Sequence, residues 1–166
     1  MPFIFLVSIC SVFLRDGWLI YEQYRVWAGN EFTQFLLPEH RPGYFIFYVF
    51  FGILASDILA LVVALALLFV LTKINNRASQ VFFEQYEPYL ASTALFVVGF
   101  PGLLFYLIWL LLVYFIWHML IVGLTGGTNK RLSLHSLWPL VGVVTILMNE
   151  YWLEGTVWWS KLIFSR

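Results

Sequence analysis

The sequence predicts an all-α integral membrane protein with about four transmembrane helices. Three observations predict it. The 166 residues are 62% hydrophobic and 11% charged, whereas a soluble domain carries roughly a quarter charged residues. The apolar residues fall in long runs separated by short polar, proline- or glycine-containing stretches. Aromatic residues make up 20% of the chain, and many stand at the ends of those runs, where a membrane places its aromatic belts. Nine basic and nine acidic residues are too few to coat a soluble domain of this length, so lipid must cover much of the surface. The alternative within this class is three spans plus a re-entrant or interfacial N-terminal segment.

The first span is assigned to residues 2–21. Its opening run, PFIFLVSICSVFL, has the length of a signal-sequence core, but no Lys or Arg precedes it and no small-x-small cleavage pattern follows it, so it is expected to stay as an anchor. Thirteen residues reach only ~20 Å as a helix, and crossing requires continuation through Arg15 and Asp16 to Tyr21. Adjacent helical residues do not face each other, so those two charges need other partners or a place at the headgroups. Residues 22–43 are expected to form an extramembrane loop. Trp27, Phe32 and Phe35 within it argue for packing on a surface and against a flexible linker.

The second span, residues 44–72, is apolar throughout except for Asp57. It would measure about 43 Å, longer than the ~30 Å hydrocarbon core, so tilt or projection is expected. The third, residues 91–124, is too long for one straight crossing. GFPG at 99–102 predicts a kink or a break near 101, because Pro101 removes a backbone donor and Gly102 loosens the helix; the stretch before it, EPYLASTALFVV, is expected as the tilted start of the same helix or as a separate interfacial segment. The fourth, residues 137–153, is about 26 Å long, near the lower limit for crossing. Trp158, Trp159, Lys161 and Arg166 then mark residues 155–166 as an interfacial segment. The whole chain, 1–166, reads as one polytopic domain. Five cations in the loops after the first and third spans, against four on the other side, leave the orientation open.

Several functions are disfavoured by composition. A net charge of zero gives no basic footprint for nucleic acid. A single cysteine, Cys10, cannot form an internal disulfide. The run LTGGTNKR lacks the glycine–lysine–serine/threonine order of a phosphate-binding loop. His40, His118 and His135 show no ligand spacing, so no metal and no cofactor is expected.

Polar groups inside the apolar runs are the remaining candidates. An ionised carboxylate at mid-membrane costs ~2.5–3.5 kcal/mol on insertion scales, so Asp57 requires protonation, a partner or a hydrated cavity. Gly52, Ser56, Ala60 and Ala64 recur every four residues beside it, and such a stripe lets a second helix approach closely. His118 lies nearer the end of its span, among Trp109, Tyr114 and Trp117. Glu150 and Glu154 share a helical face that ends the fourth span. Asp57, His118 and Glu150 are therefore the candidates for an intramembrane ion or proton path. The expectation from these residues is a small non-enzymatic membrane subunit, in contact with the bilayer and with other membrane subunits or further copies of itself. The alternative is an oligomeric ion or proton channel, or a transporter component, that uses Asp57.

Overall fold

The computed structural model describes residues 2–77, 84–125 and 137–153. Glu154, the Lys130–Arg131 pair and the C-terminal segment 155–166 lie outside the described residues. Among the described residues the structure is helical, with no strand.

Helix α1 spans Pro2–Ala28, with proline in its first turn, where its missing N–H costs nothing. It runs past the expected end at residue 21 because no glycine or proline stands between Trp18 and Ala28 and its last turn is held by packing: the Trp27 ring lies 5.4 Å from that of Phe45 and 5.0 Å from that of Tyr48. Gly29 ends the helix. Asn30 then organises the turn, its side chain accepting from the Phe32 amide at 2.9 Å, while the Thr33 hydroxyl donates to the Trp27 carbonyl at 3.1 Å. Of the stretch expected as an extramembrane loop, residues 22–28 are the end of α1, and turns with a short 3-10 segment at Gln34–Leu36 lead from there to the next helix at Pro42.

Helix α2, Pro42–Val49, passes through a wide turn at Phe50–Leu54 into α3, Ala55–Arg77. Together they make one rod. Trp27 faces Phe45 at one level of the α1–rod pair, and Arg15 meets Asp57 at another, so the two are antiparallel.

Helix α4 is Glu87–Val98 and α5 is Gly102–Thr125. Of the two expectations for this region, a kink or a break, the structure has the break: two helices, with α4 beginning before residue 91. Pro101 has no N–H to offer the Val97 carbonyl, and Gly99 adopts φ +69°, a left-handed conformation that stops a helix. Gly102 fits tightly: a Cβ there would lie 2.9 Å from a Val98 methyl. Helix α6, Leu137–Met148, ends in a second wide turn, Asn149–Leu153.

The short helix α4 is central. It packs on α1, α3, α5 and α6 and buries Ala91, Ser92, Leu95, Phe96 and Val98. Ala60, Ala64 and Leu71 of α3, Tyr106 of α5 and Trp138 and Val141 of α6 belong to the same core. A second, aromatic cluster of Trp27, Leu37, Phe45 and Val49 joins α1 to α2.

Among the described residues, three helices are long and apolar enough to cross a membrane: Pro2–Ala28, Gly43–Arg77 and Gly102–Leu120. Glu87–Val98 and Leu137–Tyr151 are apolar but shorter. By length and composition, three helices among the described residues are of spanning size, and the expected fourth span, 137–153, is a helix at Leu137–Met148 that continues in a wider, π-helical turn at Asn149–Leu153.

Candidate functional site

Asp57 is in the first turn of α3 and its side chain is only 9% exposed. Its partner comes from α1. The Arg15 Nη2 donates to Asp57 Oδ2 at 2.8 Å and to Asp16 Oδ1 at 2.9 Å, and Nε reaches the same Asp16 oxygen at 3.2 Å. One guanidinium thus bridges two carboxylates. The length of the arginine stem permits this: Arg15 stands at the rim of α1, 51% exposed, while Asp16, one position on, turns inward and is 1% exposed. Arginine suits the position because its planar fork offers several donors in one plane, where a lysine would offer a single point charge.

The α4–α5 break closes the other side. A Cβ placed on Gly99 would lie 4.0 Å from Asp57 Oδ1, so the end of α4 abuts the carboxylate. The C-terminal end of a helix carries partial negative charge, which is unfavourable beside an acid and increases the need for the Arg15 cation. Asp16 Oδ2 is buried and has no hydrogen-bond donor among the described residues.

The small-residue stripe beside Asp57 has a clear use. Ala60 and Ala64 are fully buried and Gly52 and Ser56 half-buried. The helix this face receives is α4 of the same chain, which contributes Ala91 and Leu95 to the shared core. Pro101 and Gly102 sit buried in the break itself.

His118 and Glu150 are placed elsewhere. His118 is on an exposed stretch of α5, its ring stacked on that of Tyr114 at 6.0 Å with an interplanar angle of 13°. Glu150 is exposed in the turn after α6. Neither belongs to the Arg15–Asp16–Asp57 cluster. Among the described residues, no three His, Cys, Asp or Glu side chains are grouped so as to hold a metal ion.

The residue that sequence reasoning left without a role was Arg15. A signal for it exists in the numbering. Arg15 lies twelve residues before Trp27 and Asp57 twelve after Phe45; helices joined by the intervening turn bring those positions to the same height.

Chemically the cluster is an ion-pair network that ties α1 to α3. Comparison of the chain with protein-family models, with curated proteins and with solved structures returned no match.

Proposed function

We propose that the chain is a small, non-enzymatic, multi-pass membrane protein that serves as a scaffold or accessory subunit of a larger membrane assembly. The observation that carries this reading is the Arg15–Asp57 pair: the acid in the apolar rod is engaged by a cation of the same chain, in a contact that fixes one helix against another. Intramembrane ionisable groups that face each other across helices favour such packing.

Exposed apolar surface supports the assembly role. Along α5, Leu111, Phe115, Trp117, Met119 and Leu120 are all at least 45% exposed. In a bilayer that surface, which runs round most of the helix, meets lipid or other helices, and large aromatic and aliphatic side chains are the ones that membrane and protein interfaces use.

A second reading, an ion or proton pathway, has one specific observation in its favour: a helix broken beside charged side chains. Interrupted helices recur at transport sites. Reconstitution separates the two. Proteoliposomes carrying the purified chain are assayed for cation and proton flux, beside the Asp57→Asn variant, with size-exclusion profiles of both. The scaffold reading expects no flux above empty vesicles from either protein and a destabilised Asp57→Asn. Flux that is present in the wild type and lost in a correctly folded Asp57→Asn would overturn it.

A further inference from the structure

We propose that the α1–rod pair stands obliquely in the bilayer and leans toward its rod side. Ile46, Phe47, Phe50 and Phe51 are then immersed in one leaflet, while Glu22 and Arg25, at matching levels of α1, meet water. This deepens the membrane reading given above and rests on it, though not on the scaffold role.

The levels of the two helices are fixed by their contacts. Arg15 meets Asp57, and twelve residues on in α1 and twelve back in the rod, Trp27 meets Phe45. Equal steps from these contacts put Arg25 level with Phe47 and Glu22 level with Phe50. At about 100° per residue, Glu22 and Arg25 lie on the side of α1 opposite Trp27, and the four rod residues on the side opposite Phe45. Exposure agrees: the Arg25 and Glu22 side chains are 62% and 40% exposed, and the four rod residues between 43% and 63%. The pair thus turns charge outward on one side and large apolar groups outward on the other.

A helix that passes from lipid into water changes residue type at the boundary. On the outward face of α1 the change comes after Trp18, at Glu22. On the rod it does not come before Tyr44: the four apolar residues continue the exposed surface of Val62 and Phe69, and no exposed charged residue interrupts residues 44–72. The two boundaries are therefore offset by about six residues, or ~9 Å. Packed helices have axes about 8–10 Å apart, so a plane through both boundaries is inclined by about 45°. The length of the rod leads to the same angle independently, because its ~43 Å apolar run fits a ~30 Å hydrocarbon core when tilted by about 45°. Tilts of membrane helices reach about 40°. Acyl chains are the occupant that fits the rod face, since its side chains extend a lipid-facing surface and bear no charge or hydrogen-bonding group.

The test uses the full chain with Cys10 replaced by Ala. Single cysteines are introduced as Arg25→Cys or Phe47→Cys, and as Glu22→Cys or Phe50→Cys for a second level, with Val62→Cys to mark the middle of the rod. Each of these side chains is at least 40% exposed, so a label fits without repacking. The variants are spin-labelled in phosphatidylcholine nanodiscs, and depth is read from collisions with oxygen against those with a water-soluble nickel chelate. The rod label of each pair should lie about 6 Å deeper than its α1 counterpart, from the axis separation and tilt. Equal depths, with Val62 buried in lipid, mean upright insertion; they overturn the lean and leave the membrane reading intact. A Phe47 label shielded from both oxygen and nickel means that a protein partner or a second copy covers the face, and also overturns it. A Val62 label open to the nickel chelate removes the membrane reading itself, and the lean with it. The depth difference is required in every pair that folds, so the loss of one variant leaves the other pair to decide.

Discussion

Replacing Arg15 with Met is the most direct perturbation of the ion cluster. Methionine keeps the length and apolar bulk of the stem and deletes the guanidinium, so three charge-assisted hydrogen bonds disappear together. Removing one partner of a buried pair costs about 3–5 kcal/mol, because the other charge is left behind. Arg15 is 51% exposed while Asp16 and Asp57 are 1% and 9% exposed. That asymmetry places the loss near the lower end, about 3 kcal/mol, since the cation is partly screened but the stranded carboxylates are not. For a chain of this size each kcal/mol lowers Tm by about 2–4 °C, giving a drop of about 6–12 °C.

Asp57→Asn removes a charge but keeps an oxygen that accepts from Arg15, so it should cost only about 1 kcal/mol, the difference between a charge-assisted and a neutral hydrogen bond. The double variant is the informative one. With the cation gone, the Asp57 charge is a liability, and converting it to an amide should restore part of what Arg15→Met lost. The double variant should therefore be at least as stable as Arg15→Met alone, a coupling of about 1–2 kcal/mol. Denaturant-induced unfolding in mixed micelles measures all three. Arg25→Met is the control: its contact with Glu22 is 3.4 Å long between side chains 62% and 40% exposed, so it should change stability by less than about 0.5 kcal/mol. Additive losses from Arg15→Met and Asp57→Asn, within about 0.5 kcal/mol, would refute the pairing.

Three further substitutions test the frame around the cluster. Ala60→Leu puts a branched side chain at a position with no exposed surface against α4, and should destabilise the fold by about 1–3 kcal/mol; a folded variant with unchanged stability but altered oligomer size would mean that another copy, and not α4, occupies that face. Gly99→Ala forces a side chain into φ +69° at a cost of about 1–2 kcal/mol, visible as a lower Tm. Trp27→Ala empties the centre of the aromatic cluster, where Trp27 is 9% exposed; a loss of about 3–5 kcal/mol is expected, with faster proteolysis between Gly29 and Arg41 as its local signature.

What the sequence makes legible is what periodicity and composition control. The helical class follows from long apolar runs, and the small-residue stripe beside Asp57 follows from four-residue spacing. The break near Pro101 follows from the chemistry of proline and glycine. Two features were harder to read, for a common reason: they depend on the height of one helix against another. The extent of α1 was underestimated because the polar residues after Tyr21 look like a loop when α1 is considered alone. They continue the helix once Trp27, in its last turn, packs on Phe45 and Tyr48 of the rod. The expected 91–124 span divides into a short buried helix and a long exposed one because α4 fills the space between α1, α3 and α6. Hydropathy cannot distinguish an apolar helix surrounded by protein from one surrounded by lipid.

The relation between the stripe and the acid follows from the same packing. A helix as short as α4 can occupy the centre only if its neighbours come close, and Ala60 and Ala64 permit that on α3. Close approach brings the end of α4, with its partial negative charge, against Asp57. Arg15 then has a structural role that no local pattern could assign: it holds α1 in place on α3 and offsets the charge that the central helix brings with it. Loss of the cation should therefore loosen α4 as well as α1. Hydrogen exchange of Arg15→Met is expected to show faster exchange at Leu95, Phe96 and Gly99, whose amides are buried beside the cluster or bonded at the helix end, while the Trp27 cluster stays protected. Exchange that rises only along α1 would show that α4 is held by its apolar contacts alone.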